Sequence, residues 1–132
     1  MANRDHVLVL DAGSSGMRSL VYDDHARIVG RSSTEWSYLK EPDAPELARA
    51  FDPQALWETA CSLMAGSLLD AGVTGHVAAV SVTSQRQGVV FLDGDGREVY
   101  AGPNLDLRAI FEGGAIDHEM GDHVYRTTGH LP

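Results

Sequence analysis

The chain has 132 residues, of which 43% are hydrophobic and 22% charged, a balance typical of a soluble globular domain rather than a disordered segment. Its formal net charge of −9, without any run of Lys or Arg, argues against nucleic acid as a main partner. The single cysteine, Cys61, cannot form an internal disulfide, and no apolar stretch is long enough to span a bilayer. We therefore expect a cytoplasmic protein with no nucleic-acid or membrane partner.

The first half of the chain predicts a three-stranded meander followed by a helix. Apolar patterning predicts strands at residues 6–10, 17–23 and 27–37, and the short links between them favour antiparallel pairing. The charged segment 38–52, which contains two prolines, predicts a surface loop. Asp52 followed by a proline then predicts the start of a helix over 53–71.

The second half predicts a further strand, a hairpin and more helix. The strand expected at 76–82 follows a crossover helix, so it should lie parallel to a strand already in the sheet. Segments 87–93 and 97–101 predict a hairpin with Asp95-Gly96 at its tip. Residues 105–127 are expected to be helical in two pieces, interrupted by glycine at 113–114 or at 121. The pattern is that of a mixed α/β sheet with a crossover helix.

The segment VLVLDAGSSGMR places a carboxylate, Asp11, at the end of a buried strand, immediately before a loop of small residues. Glycine lets backbone N–H groups approach a ligand, serine adds hydroxyl groups, and Arg18 adds a positive fork. Such a turn can hold phosphate oxygens, with Mg²⁺ mediating between the phosphate and the carboxylate. The alternative is a solvated hairpin turn in which Asp11 binds only the turn backbone. The segment is neither a Walker loop nor G-x-G-x-x-G.

Four segments, in the same order, resemble the FGGY carbohydrate kinases of the actin/Hsp70/sugar-kinase superfamily. The first two are LVLDAGSSGMRSLVYD, similar to the phosphate-loop motif, and FDPQALWETACSLMAGSLLDAG, similar to the first long helix. The others are VAAVSVTSQRQGVVFLDGDGREVYAGPNLDLRA, similar to the strand, sugar loop and hairpin, and VYRTTGHLP. The resemblance covers nearly the whole chain and implies a ribonuclease-H-like (actin-like ATPase) fold with a mixed sheet and a crossover helix.

The resemblance implies a phosphotransferase that moves the γ-phosphoryl group of ATP to an alcohol group of a small sugar or polyol, with ATP and Mg²⁺ as cofactors. Asp11 matches the aspartate that sits near the metal and the transferred group, so it is the catalytic and metal-binding candidate. The phosphate contacts match Gly13, Ser14, Ser15 and Arg18. The sugar contacts match Gln85, Arg86, Gln87, Asn104, Asp106 and Arg108.

The substrate is left open by departures from the family pattern. Glycerol kinases carry Q-R-E at the sugar loop and xylulose kinases carry Q-M-H-G, whereas this chain reads Q-R-Q-G at 85–88. Asn104 replaces the tryptophan of W-x-D-x-R and resembles the N-x-D-x-R-A of autoinducer-2 kinases. The structural alternatives are that residues 85–88 are a polar strand end that faces water, and that Asp106 and Arg108 form a structural ion pair.

The resemblance also implies that residues 1–132 form a partial N-terminal, sugar-binding domain, an incomplete N-terminal lobe without the ATP-binding lobe. The family's catalytic base, second phosphate loop and adenosine site have no counterpart in the sequence. We therefore expect the chain alone to be inactive, and an exposed sheet edge to favour a homodimer. A non-catalytic sugar-binding or regulatory module and a phosphohydrolase of the same superfamily remain as alternatives.

Three other features are weighed as structural rather than functional. The two histidines of DHEMGDH, at 117–123, are five positions apart, about 140° around a helix, so they are not expected to share a metal ion. Cys61 is expected to be a small buried or half-buried helix residue. Trp57 is expected to pack rather than to bind a ligand.

Overall fold

The computed structural model describes residues 6–131 except Thr74 and His76. In chain order the elements are β1 (Val7–Ala12), β2 (Gly16–Tyr22), β3 (Ile28–Glu35), α1 (Pro53–Asp70), β4 (Ala79–Ser84), β5 (Val89–Leu92), β6 (Glu98–Gly102) and α2 (Ile110–Thr128). They form a four-stranded sheet in the order β3-β2-β1-β4 and a separate two-stranded sheet of β5 and β6.

The four-stranded sheet has the predicted mixed topology. β2 pairs antiparallel with both β1 and β3, and β4 pairs parallel with β1. In that parallel register Val7 lies opposite Ala79 and Ala12 lies opposite Ser84. The strand expected at 76–82 therefore exists, although it begins at Ala79, and His76 lies outside the described residues.

Helix α1 begins and ends where the sequence predicts. The Asp52 carboxylate accepts the N–H of Ala55 at 3.1 Å, which satisfies one of the free amides of the first turn. Gly72, just beyond the helix, has φ +66°, a conformation that glycine adopts without strain. The apolar stripe packs on the sheet, where Ala60 and Leu63 meet Leu10 and Met17 to form the core.

The helix lies unusually close to the sheet at one point. Ser67 and Ser19 are fully buried and share a hydrogen bond of 2.7 Å between their hydroxyl oxygens. One strand further out, a Cβ atom on Gly30 would overlap the backbone carbonyl oxygen of Ser67. Small residues on both sides therefore set the distance between α1 and the sheet.

The hairpin of β5 and β6 has the predicted turn. The Asp93 carboxylate accepts the N–H groups of Asp95 and Arg97, both at 2.9 Å, and Gly96 has φ +81°. The hairpin does not extend the four-stranded sheet.

The C-terminal helix differs from the sequence prediction. A helix in two pieces is wrong, because α2 runs without interruption from Ile110 to Thr128 and ends at Gly129, whose φ is +77°. Glycine inside a helix costs about 1 kcal/mol but keeps its N–H, so the hydrogen-bond ladder continues where proline would break it. No helix in the described part of the chain is long and apolar enough to cross a membrane.

Two residues of α1 are more exposed than their types suggest. Cys61 is exposed and Trp57 is 61% exposed, so the expected burial of Cys61 and packing of Trp57 are both wrong. They are four positions apart and so share one helix face, which points away from the sheet.

The expected open sheet edge is present. Among the described residues β4 has a partner on one side only, and all six of its residues are exposed, with Val80 at 57% and Val82 at 65%. Pairing of two copies along this edge stays a prediction.

Substitution of Gly30 by alanine should destabilise the protein by about 1–3 kcal/mol, because the added methyl group forces α1 off the sheet. Urea unfolding measures the change. Gly114→Ala is the matched control: it lies on an exposed part of α2 with open space around it, and should stabilise by about 0.5–1 kcal/mol. Equal effects of the two substitutions would contradict the close approach.

Candidate functional site

Asp11 stands at the end of β1 and is held by an arginine on the neighbouring strand. The β1–β2 register places Arg18 directly opposite, and its Nε and Nη2 donate to Oδ2 of Asp11 at 2.8 and 2.7 Å. The carboxylate is 25% exposed, and its Oδ1 has no partner among the described residues. The ion pair therefore fixes the carboxylate while leaving one oxygen to accept a ligand.

In the loop after β1, the carbonyl groups of Ser14 and Ser15 are bound, while their amides donate to no described residue. The carbonyl oxygen of Ser15 accepts the N–H of Trp36 at 3.2 Å, and that of Ser14 accepts the hydroxyl of Tyr38 at 2.7 Å. The backbone N–H groups and hydroxyls of Ser14 and Ser15 donate to no described residue. The loop thus presents four hydrogen-bond donors on two adjacent residues.

A cavity of about 580 Å³ opens over this loop. It is lined by Asp11, by the loop and start of β2 from Gly13 to Arg18, and by Ser33, Thr34 and Glu35 of β3. Ser33, Thr34 and Glu35 were not predicted as site residues, because no motif covers them and only their position opposite β2 brings them to the loop. Gly16 allows this approach, since a Cβ there would lie 2.7 Å from the carbonyl oxygen of Thr34.

The loop after β4 lies beside the end of β1. The N–H of Gln85 donates to the carbonyl oxygen of Ala12 at 2.8 Å, as the parallel register requires. Arg86 is exposed, and its guanidinium bonds to none of the residues that the structure describes. Gln87 has φ +60°, a left-handed conformation that non-glycine residues rarely adopt, and its Oε1 lies 3.4 Å from Nδ2 of Asn104.

Asp106 and Arg108 form an ion pair in a partly buried network. The Asp106 side chain is 7% exposed, and it accepts from Nη2 of Arg108 at 2.6 Å and from the Tyr100 hydroxyl at 2.9 Å. Arg108 also reaches Glu41 at 3.1 Å. The hydrogen bonds from Arg108 hold the pKa of Asp106 at about 2, and burial together with Asp106 raises the pKa of Tyr100. The charges of this pair are committed mainly to each other.

The predicted residues come together along one edge of the sheet. Tyr38 bridges Ser14 of the first loop and Gln85 of the second, and Gln87 then meets Asn104, two positions before Asp106. Arg86 and Arg108 belong to these segments but touch none of the other candidates in the first loop. Tyr38 was missed by the sequence analysis.

The donor set of the first loop fits a magnesium–phosphate group. Mg²⁺ is typically bound by one or two carboxylates together with phosphate oxygens and water, and Asp11 offers one carboxylate oxygen of this kind. Elsewhere in the described residues, three potential metal ligands converge at Asp23, Asp24 and His25, and none do at 117–123. The largely buried carboxylate of Asp23 is already bound to Arg27, so this turn is explained without a metal.

The family follows from comparison with known proteins. The model of the "FGGY family of carbohydrate kinases, N-terminal domain" matches residues 6–129. The chain belongs to the FGGY family of carbohydrate kinases. Among curated relatives, an autoinducer-2 kinase from Escherichia coli is 33% identical over 129 residues, and one from Salmonella paratyphi B is 31% identical. These matches span 94% of this chain and 24% of each relative.

Solved structures confirm the fold class of this FGGY domain. Xylulose kinase from Rhodospirillum rubrum superposes with a TM-score of 0.79 at 20% identity, over 91% of this chain and 25% of the other. Glycerol kinase from Plasmodium falciparum, solved with ADP, superposes with a TM-score of 0.79 at 19% identity, over 96% of this chain and 26% of the other. The predicted ribonuclease-H-like mixed sheet is therefore present.

Asp106→Asn should reduce stability in a pH-dependent way. Because the folded pKa of about 2 lies below the ordinary 3.8, the unfolded carboxyl takes up its proton first as the pH falls. The Asp106 contribution is therefore full above pH 3.8 and disappears towards pH 2. The difference in melting temperature between the wild-type protein and Asp106→Asn should therefore shrink as the pH is lowered from 3.8 towards 2. Asp43→Asn, an exposed loop substitution without a described side-chain partner, should show no such change; a constant difference for Asp106→Asn would contradict the ion pair.

Proposed function

We propose that this FGGY domain is the N-terminal part of an ATP-dependent kinase that transfers the γ-phosphoryl group of ATP to a hydroxyl of a small carbohydrate. One observation carries the proposal. The parallel pairing of β1 and β4 brings the amides and hydroxyls of Ser14 and Ser15 beside the loop that contains Arg86, and none of these groups donates to a described residue. Donor and acceptor substrates need such neighbouring sites, because the reaction depends on positioning and charge neutralisation.

On the phosphate side, Asp11 is the catalytic and metal-binding residue of the proposal. Its Oδ1 would hold Mg²⁺, which supplies neutralisation of phosphate charge when bound. The amides of Gly13, Ser14 and Ser15 would bind phosphate oxygens, and Arg18 would hold Asp11 while lending positive charge to the cavity.

On the carbohydrate side, Arg86 bonds to none of the described residues, whereas the side chains of Gln87 and Asn104 share one long hydrogen bond. Arg86 donates in a fixed fork, and the amides of Gln87 and Asn104 both donate and accept. Gln85 is half-buried, and its side chain is already bound to the Tyr38 hydroxyl. Asp106 and Arg108, being paired, would hold the Asn104 segment in place and contact substrate only at the exposed third of Arg108.

The relatives suggest which carbohydrate to test first. The curated relatives reported above are named autoinducer-2 kinases, and Asn104 departs from the tryptophan pattern in their direction. We propose a small hydroxylated ketone of the autoinducer-2 kind, with xylulose and glycerol as the competing substrates.

We also propose that the isolated chain does not catalyse repeated transfer of the phosphoryl group. A kinase of this kind needs a general base at the acceptor hydroxyl, and the carboxylate beside the carbohydrate residues, Asp106, already accepts from Arg108 and Tyr100. A coupled assay of the chain with Mg²⁺, ATP and each carbohydrate should therefore show no multiple turnovers. Sustained turnover would contradict this part.

Binding to the chain tests the two sides separately. Asp11→Asn should weaken binding of Mg·ATP by about 10- to 100-fold and leave binding of the carbohydrate unchanged, whereas Arg86→Met should do the reverse. Calorimetric titration measures both, and Asp43→Asn should change neither.

Two experimental outcomes would favour a different function. Carbohydrate binding that is indifferent to Mg·ATP and to Asp11 would favour a non-catalytic binding module. Phosphate release from ATP without a carbohydrate acceptor would favour a phosphohydrolase.

A further inference from the structure

Tyr38 is the one described side chain that bonds to both candidate loops. Its hydroxyl oxygen lies 2.7 Å from the carbonyl oxygen of Ser14 and 3.0 Å from Oε1 of Gln85, residues 24 and 47 positions away in the chain. It stands in the segment between β3 and α1, outside every motif of the sequence analysis.

The chemistry of this contact has a direction. A phenol has one proton, and the Ser14 carbonyl can only accept, so the shorter bond is a donation from Tyr38 to Ser14. The phenol oxygen is then an acceptor, yet the atom of Gln85 that faces it is Oε1, another acceptor. Two acceptors without a proton between them repel, so a rotation of the amide by about 180° that brings Nε2 to the hydroxyl is favoured. In that rotamer Gln85 donates to Tyr38 and Tyr38 donates to Ser14.

The bond from Tyr38 to Ser14 orients a phosphate-loop amide. The carbonyl of Ser14 and the N–H of Ser15 belong to one planar trans peptide group and point in opposite directions. Fixing the carbonyl towards Tyr38 therefore fixes the Ser15 N–H, which is free among the described residues, on the opposite side.

The ring of Tyr38 is held by packing that does not involve its hydroxyl. The ring centroid lies 5.9 Å from that of Trp36, which in turn stacks at 6.4 Å on Phe51, just before α1. Removal of the hydroxyl alone should therefore leave the ring in place.

We propose that Tyr38 is a positioning residue that couples the phosphate loop to the carbohydrate loop. This role rests on the proposed function of the two loops. Binding of phosphate orients the Ser15 amide, Tyr38 passes that constraint to Gln85, and the adjoining Arg86 and Gln87 become ordered for the acceptor. Nucleotide and carbohydrate then each tighten the binding of the other.

A measurement without ligands tests the geometry. Trp36 N–H bonds to Ser15 and Gln85 N–H bonds to Ala12, so these amides report on the two loops separately. In Tyr38→Phe, amide hydrogen exchange should rise about 2- to 10-fold at both positions, as expected for one lost hydrogen bond, and stay unchanged at Leu63 in the core. Tyr125→Phe, which removes an exposed hydroxyl on α2 that makes no described hydrogen bond, should change neither.

A measurement with ligands tests the coupling. In the wild-type chain, a non-hydrolysable ATP analogue with Mg²⁺ should tighten xylulose binding by about 5-fold or more, and Tyr38→Phe should bring that factor close to one. The affinity of Tyr38→Phe for each ligand measured alone should change less than this coupling factor does.

The outcomes separate this proposal from the function on which it rests. Unchanged exchange at Trp36 or Gln85 in Tyr38→Phe overturns the positioning role, and an undiminished coupling factor overturns the coupling. If the wild-type chain binds neither the nucleotide analogue nor any of the three carbohydrates while exchange rises at both amides, the proposed binding roles of the two loops fail and the structural bridge stands.

Discussion

The parallel pairing of β1 with β4 is the constraint on which the rest of the structure depends. Parallel strands end at the same edge of a sheet, so Asp11 and the loop beginning at Gln85 are neighbours although more than seventy residues separate them. The crossover through α1 makes this pairing possible, and the core between α1 and the sheet fixes its register. A slip of one residue would reverse the faces of Leu8 and Leu10, which are both buried.

Two arginines supply positive charge to the two candidate loops of an acidic chain. The protein as a whole carries −9, yet Arg18 and Arg86 stand at the two loops, the first paired to a carboxylate and the second unpaired among the described side chains. The two carboxylates of the candidate site, Asp11 and Asp106, differ in how fully their oxygens are bound. One oxygen of Asp11 has no partner among the described residues, whereas the Asp106 carboxylate is bound to Arg108 and Tyr100. Environment, more than residue type, distinguishes the two.

The sequence predicted the features that depend on local chemistry. The meander, the Asp52 cap of α1 and the hairpin turn at Gly96 all follow from residues within a few positions of one another. α2 was predicted in two pieces because glycine is a weak helix former, but 19 residues of otherwise helical sequence outweigh that local cost. Cys61 and Trp57 were misjudged because hydrophobic character does not say which helix face meets the sheet.

The candidate site was predictable only where a motif marked it. Asp11 and the first loop were predicted from their residue types, and the second loop from the family resemblance, whereas no motif covers Tyr38 or the β3 residues of the cavity. No local signal distinguishes Tyr38 from the other polar residues of its surface loop.

The close packing of α1 against the sheet limits how this domain can move. With Ser67 against Gly30 and hydrogen-bonded to Ser19, the helix cannot slide or roll without separating from two strands at once. The helix and the meander must therefore travel as a single rigid body. Any hinge that opens or closes the cavity has to lie in the connections outside this block, and the cavity's own wall, built on β2 and β3, moves with the helix rather than against it.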